Sequence, residues 1–347
     1  MSIADRIQRT DFFRRSPARL GGPADHKEWQ HFIIHDAGLE LLVNFSLADT
    51  VRWDGRPGQE SGRLIVVARQ GDRRHTAVER FTGADLDVES GRIDARFGRH
   101  TLRFADGAWH LSLRLPDLEA TLRIRPQTWP AVSGNIPLGP GTAAQARTLS
   151  WLIVARAQAE GTVRLGGHTH AIRGALAYHD HNWGHFRWGD DFAWEWGQAL
   201  PADPACPWSV VFVRMADRRR TRVLSQGLFL WRKEAQYRVF RDRDLSVEVG
   251  APVSLEPHKL PAVMALLAPG QSADVPATLR ATAEAGGDHL TLLFEPHHLT
   301  QVLIPDETDL RGVTRLNEAS GTVQLDGTVG GEPVALRGPA IFEFVRG

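Results

Sequence analysis

The sequence predicts an all-β protein built as two consecutive antiparallel β-barrels or sandwiches with little helix. Three observations carry this expectation. Short runs of alternating apolar and polar residues, broken by Gly, Asp and Pro, recur along the whole 347-residue chain, and alternation with turn punctuation is the strand signature. Few stretches hold a helical period. Finally, one hairpin pattern occurs twice, about 160 residues apart: GTVRLGGHTHAIRGALA at 161–177 and GTVQLDGTVGGEPVALRGPA at 321–340. Each reads as strand, Gly-rich tight turn and returning strand, and its repetition points to a duplicated barrel. The joint between copies is placed near Asp190, giving domains 1–189 and 190–347.

Taken in order, the opening MSIADRIQRTDFFRRSPARL lacks the apolar core and small-residue cleavage site of a secretory signal. It reads as a frayed helical lead-in; an Arg-bearing amphipathic helix on a membrane surface is the alternative. Strands are expected at Arg63–Arg69, Arg92–Phe97, Thr101–Phe104, Trp109–Leu115 and Ala120–Ile124. In the second half they are expected at Trp208–Val213, Leu224–Trp231, Leu245–Val249, His289–Phe294, Gly321–Leu325 and Ala340–Val345. The helical candidates are Thr142–Ala146 and Pro261–Leu267. Apolar patches such as Leu260–Leu267 are too short to span a bilayer, so a cytoplasmic protein is expected, with peripheral membrane contact as its only membrane association.

Composition narrows the function. Lys plus Arg and Asp plus Glu both number 41, which argues against a nucleic-acid partner. The single Cys206 excludes a disulfide scaffold and a multi-cysteine zinc site. Of the eleven Trp, set against two Tyr, about half are expected to fill the core and the rest, Trp151, Trp194 and Trp196 among them, to line a pocket for a hydrophobic small molecule.

The stretch richest in chemistry is Tyr178-His179-Asp180-His181-Asn182-Trp183-Gly184, followed by Phe192-Ala193-Trp194-Glu195-Trp196-Gly197. On a strand, Tyr178, Asp180 and Asn182 share one face and His179, His181 and Trp183 the other. A carboxyl group in apolar, aromatic surroundings keeps its proton to higher pH and can deliver it to a substrate. Indole faces stabilise a developing cation. Acid plus aromatic wall is what protonation of an alkene requires. His168-x-His170 and His179-x-His181 also have a spacing that strand metal sites use, though no metal site and no cofactor are assigned from it.

The run Arg173-Gly174 through Tyr178-x-Asp180-x-Asn182-Trp183-Gly184, with Trp194-x-Trp196-Gly197, resembles the signature of the carotenoid 1,2-hydratase/AttH-like superfamily. Glu28-Trp29-Gln30-His31-Phe32 is similar to its opening strand and Gly338-Pro339-Ala340-Ile341-Phe342-Glu343 to its closing one. The resemblance implies two lipocalin-like (calycin) domains and hydration or cyclisation of isoprenoid or polyene substrates without a cofactor. It implies Asp180 as general acid with Tyr178 beside it. The family's His-x-Trp pair corresponds to Leu149-Ser150-Trp151, so Trp151 is kept while Leu149 stands where the His would be.

The expected protein is therefore a hydro-lyase (hydratase) or cyclase for a hydrophobic metabolite. Its catalytic candidates are Asp180, Tyr178, His179 and His181; its substrate-binding candidates are Trp151, Asn182, Trp183, Trp194 and Trp196. A non-catalytic carrier of a lipid or pigment is the alternative, favoured by Leu149.

Overall fold

A computed structural model describes residues 1–14, 26–51, 57–71, 73–137, 148–187, 192–267, 270–305 and 312–346. These form two compact units, one of residues up to Ile136 and from Thr148 to Phe186, the other of Arg187 onward together with Pro137. Asp190 and the helical candidate Thr142–Ala146 lie outside the described residues.

The first unit opens with α1 (Ile3–Thr10) and continues through β1 (His26–Asp36), β2 (Leu39–Val51), β3 (Pro57–Gln70), β4 (Arg73–Thr82), β5 (Leu86–Val88) and β6 (Asp94–Phe97). It closes with β7 (His100–Ala105), β8 (Ala108–Arg114), β9 (Leu118–Pro126), β10 (Ala131–Pro137), β11 (Thr148–Leu165) and β12 (His168–His185). The strands make one sheet in the order β4-β3-β2-β1-β12-β11-β9-β8-β7-β6-β5, with β10 beside β11. The first strand thus pairs with the last. One sheet face buries Phe32, Ile34, Val43, Phe45, Leu64, Trp109, Leu122, Val154 and Ala177 in a single core.

The second unit repeats the plan with β13 (Phe192–Ala199), β14 (Trp208–Asp217), β15 (Val223–Arg232), β16 (Ala235–Arg241), β17 (Leu245–Val249) and β18 (His258–Leu260). After α2 (Ala262–Leu267) come β19 (Leu279–Ala285), β20 (Asp288–Pro305), β21 (Val313–Val329) and β22 (Glu332–Arg346). Its order is β16-β15-β14-β13-β22-β21-β20-β19-β17, with β18 beside β20, and its core gathers Phe212, Leu230, Phe240, Phe294, Phe342 and Phe344. The two copies of the hairpin noted in the sequence are β11–β12 and β21–β22, and each pairs next with the first strand of its own unit. Both copies bring a glycine against the neighbouring strand. A Cβ at Gly161 would lie 2.1 Å from the Thr121 carbonyl oxygen, and one at Gly321 would lie 2.0 Å from that of Glu295.

Every strand expected from alternation falls inside or across an observed strand, and Pro261–Leu267 contains α2. The opening helix departs from the expected frayed lead-in. Ser2 and Asp5 form a capping box at its start, Ile7 is buried, and Asp11 caps its end. Such caps supply partners for backbone groups that a frayed end leaves to water. Among the described residues no helix is long and apolar enough to cross a membrane.

Candidate active site

Asp180 sits near the centre of the first unit's sheet, on the face turned away from the unit's core. Across β12 its register partners are His31 on β1 and Ile153 on β11; Tyr178 is opposite Ile33, and Asn182 is opposite Trp29 and Trp151. Directly opposed residues share a face, so this face carries Asp180, Tyr178, Asn182, His31 and Trp151. Opposite Tyr178 the β11 strand takes up an extra residue between Val154 and Ala157, a bulge of the kind that re-aims side chains beside active sites.

The carboxyl is tightly held. Tyr178 Oη donates to Asp180 Oδ2 at 2.8 Å and Asn182 Nδ2 donates to Oδ1 at 2.9 Å. Asp180 is only 2% exposed and Tyr178 is fully buried. Burial raises the Asp180 pKa to about 6, and this outweighs the opposing pull of the Tyr178 hydroxyl, the nearby His179 and the Trp151 indole. The balance makes sense because removing a carboxylate from water costs more than two or three hydrogen bonds return. His31 is also buried, and desolvation with the neighbouring His179 pushes its pKa down to about 3. Its imidazole is neutral at physiological pH, so the residue directly opposite Asp180 on β1 adds no positive charge that would pull off its proton.

His179, His181 and Trp183 point the other way, into the core of the first unit, where they meet partners from distant parts of the chain. His179 Nε2 donates to Asp11 Oδ2 at 3.0 Å and its Nδ1 to the His31 carbonyl at 3.0 Å. His181 stands between Asp11 Oδ1 at 3.1 Å and Glu28 Oε1 at 2.8 Å. Each ring therefore faces an acceptor at both nitrogens. Trp109 Nε1 adds a donor to Asp11 at 2.9 Å, and the Arg14 backbone N–H reaches both Glu28 oxygens at 2.8 and 2.9 Å. The histidines hold the Asp11 carboxyl far below the usual range and Glu28 at about 2, while the two carboxylates raise His181. Trp183 is covered by the Arg14 guanidinium, 3.4 Å from its ring centroid. These three candidates thus do not join Asp180; they form an internal ionic network that fastens the end of α1 to β1 and β12.

Trp194 and Trp196 belong to the second unit, on β13. Both are largely buried, and the Trp194 indole N–H donates to Glu343. Between them Glu195 faces the opposite side and ion-pairs with Arg346 at 2.9 Å and with Arg214. His168 and His170 are engaged by Arg73 and by Asp36 and Gln70, and among the described residues no group of three or more His, Cys, Asp or Glu is arranged to hold a metal ion. Sequence reasoning missed His31, Asp11 and Glu28 as partners of the motif. No signal near residues 178–183 points to them, because strand register and the placement of α1 supply the contacts.

No protein-family model matches the sequence, and no curated protein matches it either. Three solved structures are similar in fold. An AttH-like protein of Nitrosomonas europaea superposes with a TM-score of 0.62 at 14% identity, covering 96% of this chain and 98% of that one. CghA in complex with Sch210972 gives 0.58 at 12% identity, over 93% and 89%. Kievitone hydratase from Nectria haematococca gives 0.55 at 13% identity, over 92% and 88%. At such identities the likeness carries the fold: the chain has the two-unit, lipocalin-like antiparallel architecture of the AttH-like structures.

Proposed function

We propose that the protein is a cofactor-independent hydratase or cyclase for an isoprenoid, polyene or other hydrophobic metabolite, with Asp180 as its general acid. The observation that carries this reading is the buried Asp180 carboxyl, held by Tyr178 and Asn182 with a pKa of about 6. A carboxylic acid at that value is about one-tenth protonated at pH 7, enough to serve as an acid whose conjugate base is not too weak to recover the proton. Two of the proteins with this fold, by their names, are a hydratase and a protein bound to Sch210972.

In this reading Asp180 transfers its proton to one carbon of a carbon–carbon double bond, and the bond's electron pair forms the new C–H bond. The carbon left cationic is stabilised by the face of Trp151, while Tyr178 and Asn182 stabilise the carboxylate that has just formed. Water attacks the cation and returns a proton to Asp180, completing hydration. Attack by a second double bond of the same molecule, followed by loss of a proton to Asp180, completes cyclisation.

The test is conversion of acyclic carotenoids and shorter isoprenoids in heavy-oxygen water, followed by mass spectrometry, with wild type beside Asp180→Asn. Gain of one labelled water by the wild type alone supports a hydratase. An unlabelled isomer, again absent from the variant, supports a cyclase. Full activity in Asp180→Asn refutes the acid. Leu149, standing where the resemblance expects a histidine, favours a second reading as a carrier of a lipid or pigment; it predicts ligand recovered unchanged and equal affinity in Asp180→Asn.

A further inference from the structure

The second unit carries a buried polar group that no described residue satisfies. On β13, Trp194, Trp196 and Gln198 alternate with Glu195, Gly197 and Ala199, so the first three leave the strand on the side opposite the unit's core. Gln198 is 1% exposed, and among the described residues neither its amide nitrogen nor its amide oxygen has a hydrogen-bond partner. The register places it between Val211 on β14 and Ile341 on β22. On the same side, Ser209 of β14 faces Trp231 of β15, whose fully buried indole N–H also has no acceptor among the described residues. Buried amides and indole N–H groups are normally paired, because leaving them open costs their full desolvation. An amide open at both ends and a second open donor on one sheet face are therefore aimed at a group from outside the chain.

The neighbours select that group. Trp194, Trp196, Val211 and Ile341 make its surroundings apolar. Glu343 is the register partner of Trp196 and accepts the Trp194 N–H, so this face carries a carboxyl, which disfavours an anionic head group. An amide both donates and accepts, and its complement is an uncharged group that does the same. We propose that this face of the second unit binds an uncharged hydrophobic molecule bearing a hydroxyl or amide group, with Gln198 as the contact that recognises it. The proposal stands apart from the chemistry assigned to Asp180.

Tryptophan-fluorescence titration with farnesol and with its methyl ether tests it, because the pair differs in the hydroxyl hydrogen and one methyl group. Wild type should bind farnesol about tenfold more tightly, since a site built to pair a hydroxyl discriminates against an analogue lacking it. Gln198→Met keeps the length of the side chain and removes both polar atoms; it should weaken farnesol binding to the level of the ether and leave the ether unchanged. Gln198→Leu provides the same comparison if the first variant does not fold. Asp180→Asn should keep the preference, which separates failure of this proposal from failure of the acid. A preference that survives in the Gln198 variants, no preference in wild type, or no saturable binding of either compound overturns the proposal.

Discussion

Asp180→Asn should stabilise the first unit above neutral pH while removing its buried carboxyl. The folded-state pKa of about 6 lies above the ordinary 3.8, so between these values the folded chain holds a proton that the unfolded chain has released. Stability of the wild type therefore falls as pH rises through that window. The rise from 3.8 to about 6 corresponds to roughly 3 kcal/mol once pH exceeds 7. Asparagine does not titrate and escapes this loss. It offers one oxygen where the carboxylate offers two, so either the Tyr178 hydroxyl or the Asn182 amide loses its acceptor, at about 1–2 kcal/mol. The net expectation is a gain of about 1–2 kcal/mol at pH 8 and no gain at pH 4. Urea denaturation followed by circular dichroism at both pH values measures it. Equal pH dependence in the two proteins between pH 4 and 8 would show that burial does not raise this carboxyl, and the reasoning would fail with it.

Other expectations follow from the internal network and the close strand contacts. Asp11→Ala strips the acceptor from His179, His181 and Trp109 and should cost about 3–5 kcal/mol, as breaking one partner of a buried ionic set does; trypsin should then cut faster within α1, at Arg6 and Arg9. The raised pKa of His181 contributes stability that is complete below the ordinary 6.5 and lost as pH rises through the folded value, whereas Glu28 contributes stability complete above the ordinary 4.5 and lost as pH falls through about 2. His181→Gln should accordingly flatten the stability profile above pH 6.5 in the same denaturation assay. Gly161→Ala drives a methyl into the Thr121 carbonyl and should cost several kcal/mol or prevent folding. Gly38→Ala, at φ +84 with nothing within 4 Å, should cost only about 1–2 kcal/mol, and thermal melts distinguish the two.

How legible each part was follows from burial. Strands with one wet face, such as β9 with its strict alternation of buried and more exposed residues, announce themselves in sequence. The middle of β12 is buried on both faces from Ala177 to Asn182, so its alternation vanishes and only the motif marks it. The same holds for β1, and for the first half of β21, where the expected Gly321–Leu325 is the visible part of a strand running from Val313 to Val329. The face assignment of Tyr178, Asp180 and Asn182 needed only the two-residue period. What surrounds them did not follow, because Asp11 lies 168 positions from His179 and His31 reaches Asp180 through pairing of β1 with β12. Gln198 carries no local pattern at all; its open amide emerges only once the register is known.

The pairing of first strand with last also sets the order in which this molecule can be made. Lys27 on β1 bonds the carbonyl of Phe186, 159 positions on. At about 5–20 residues per second, a ribosome needs roughly 8–30 s to deliver that partner. Until then β1 to β4 exist as a meander whose β1 edge, bearing Phe32, Ile33 and Ile34, has no neighbour, the situation in which strands pair with other chains. Asp180 and Asn182 arrive last of their constellation, so the held carboxyl and the sheet closure that buries it come into being in the same event, and the nascent chain remains vulnerable until that event.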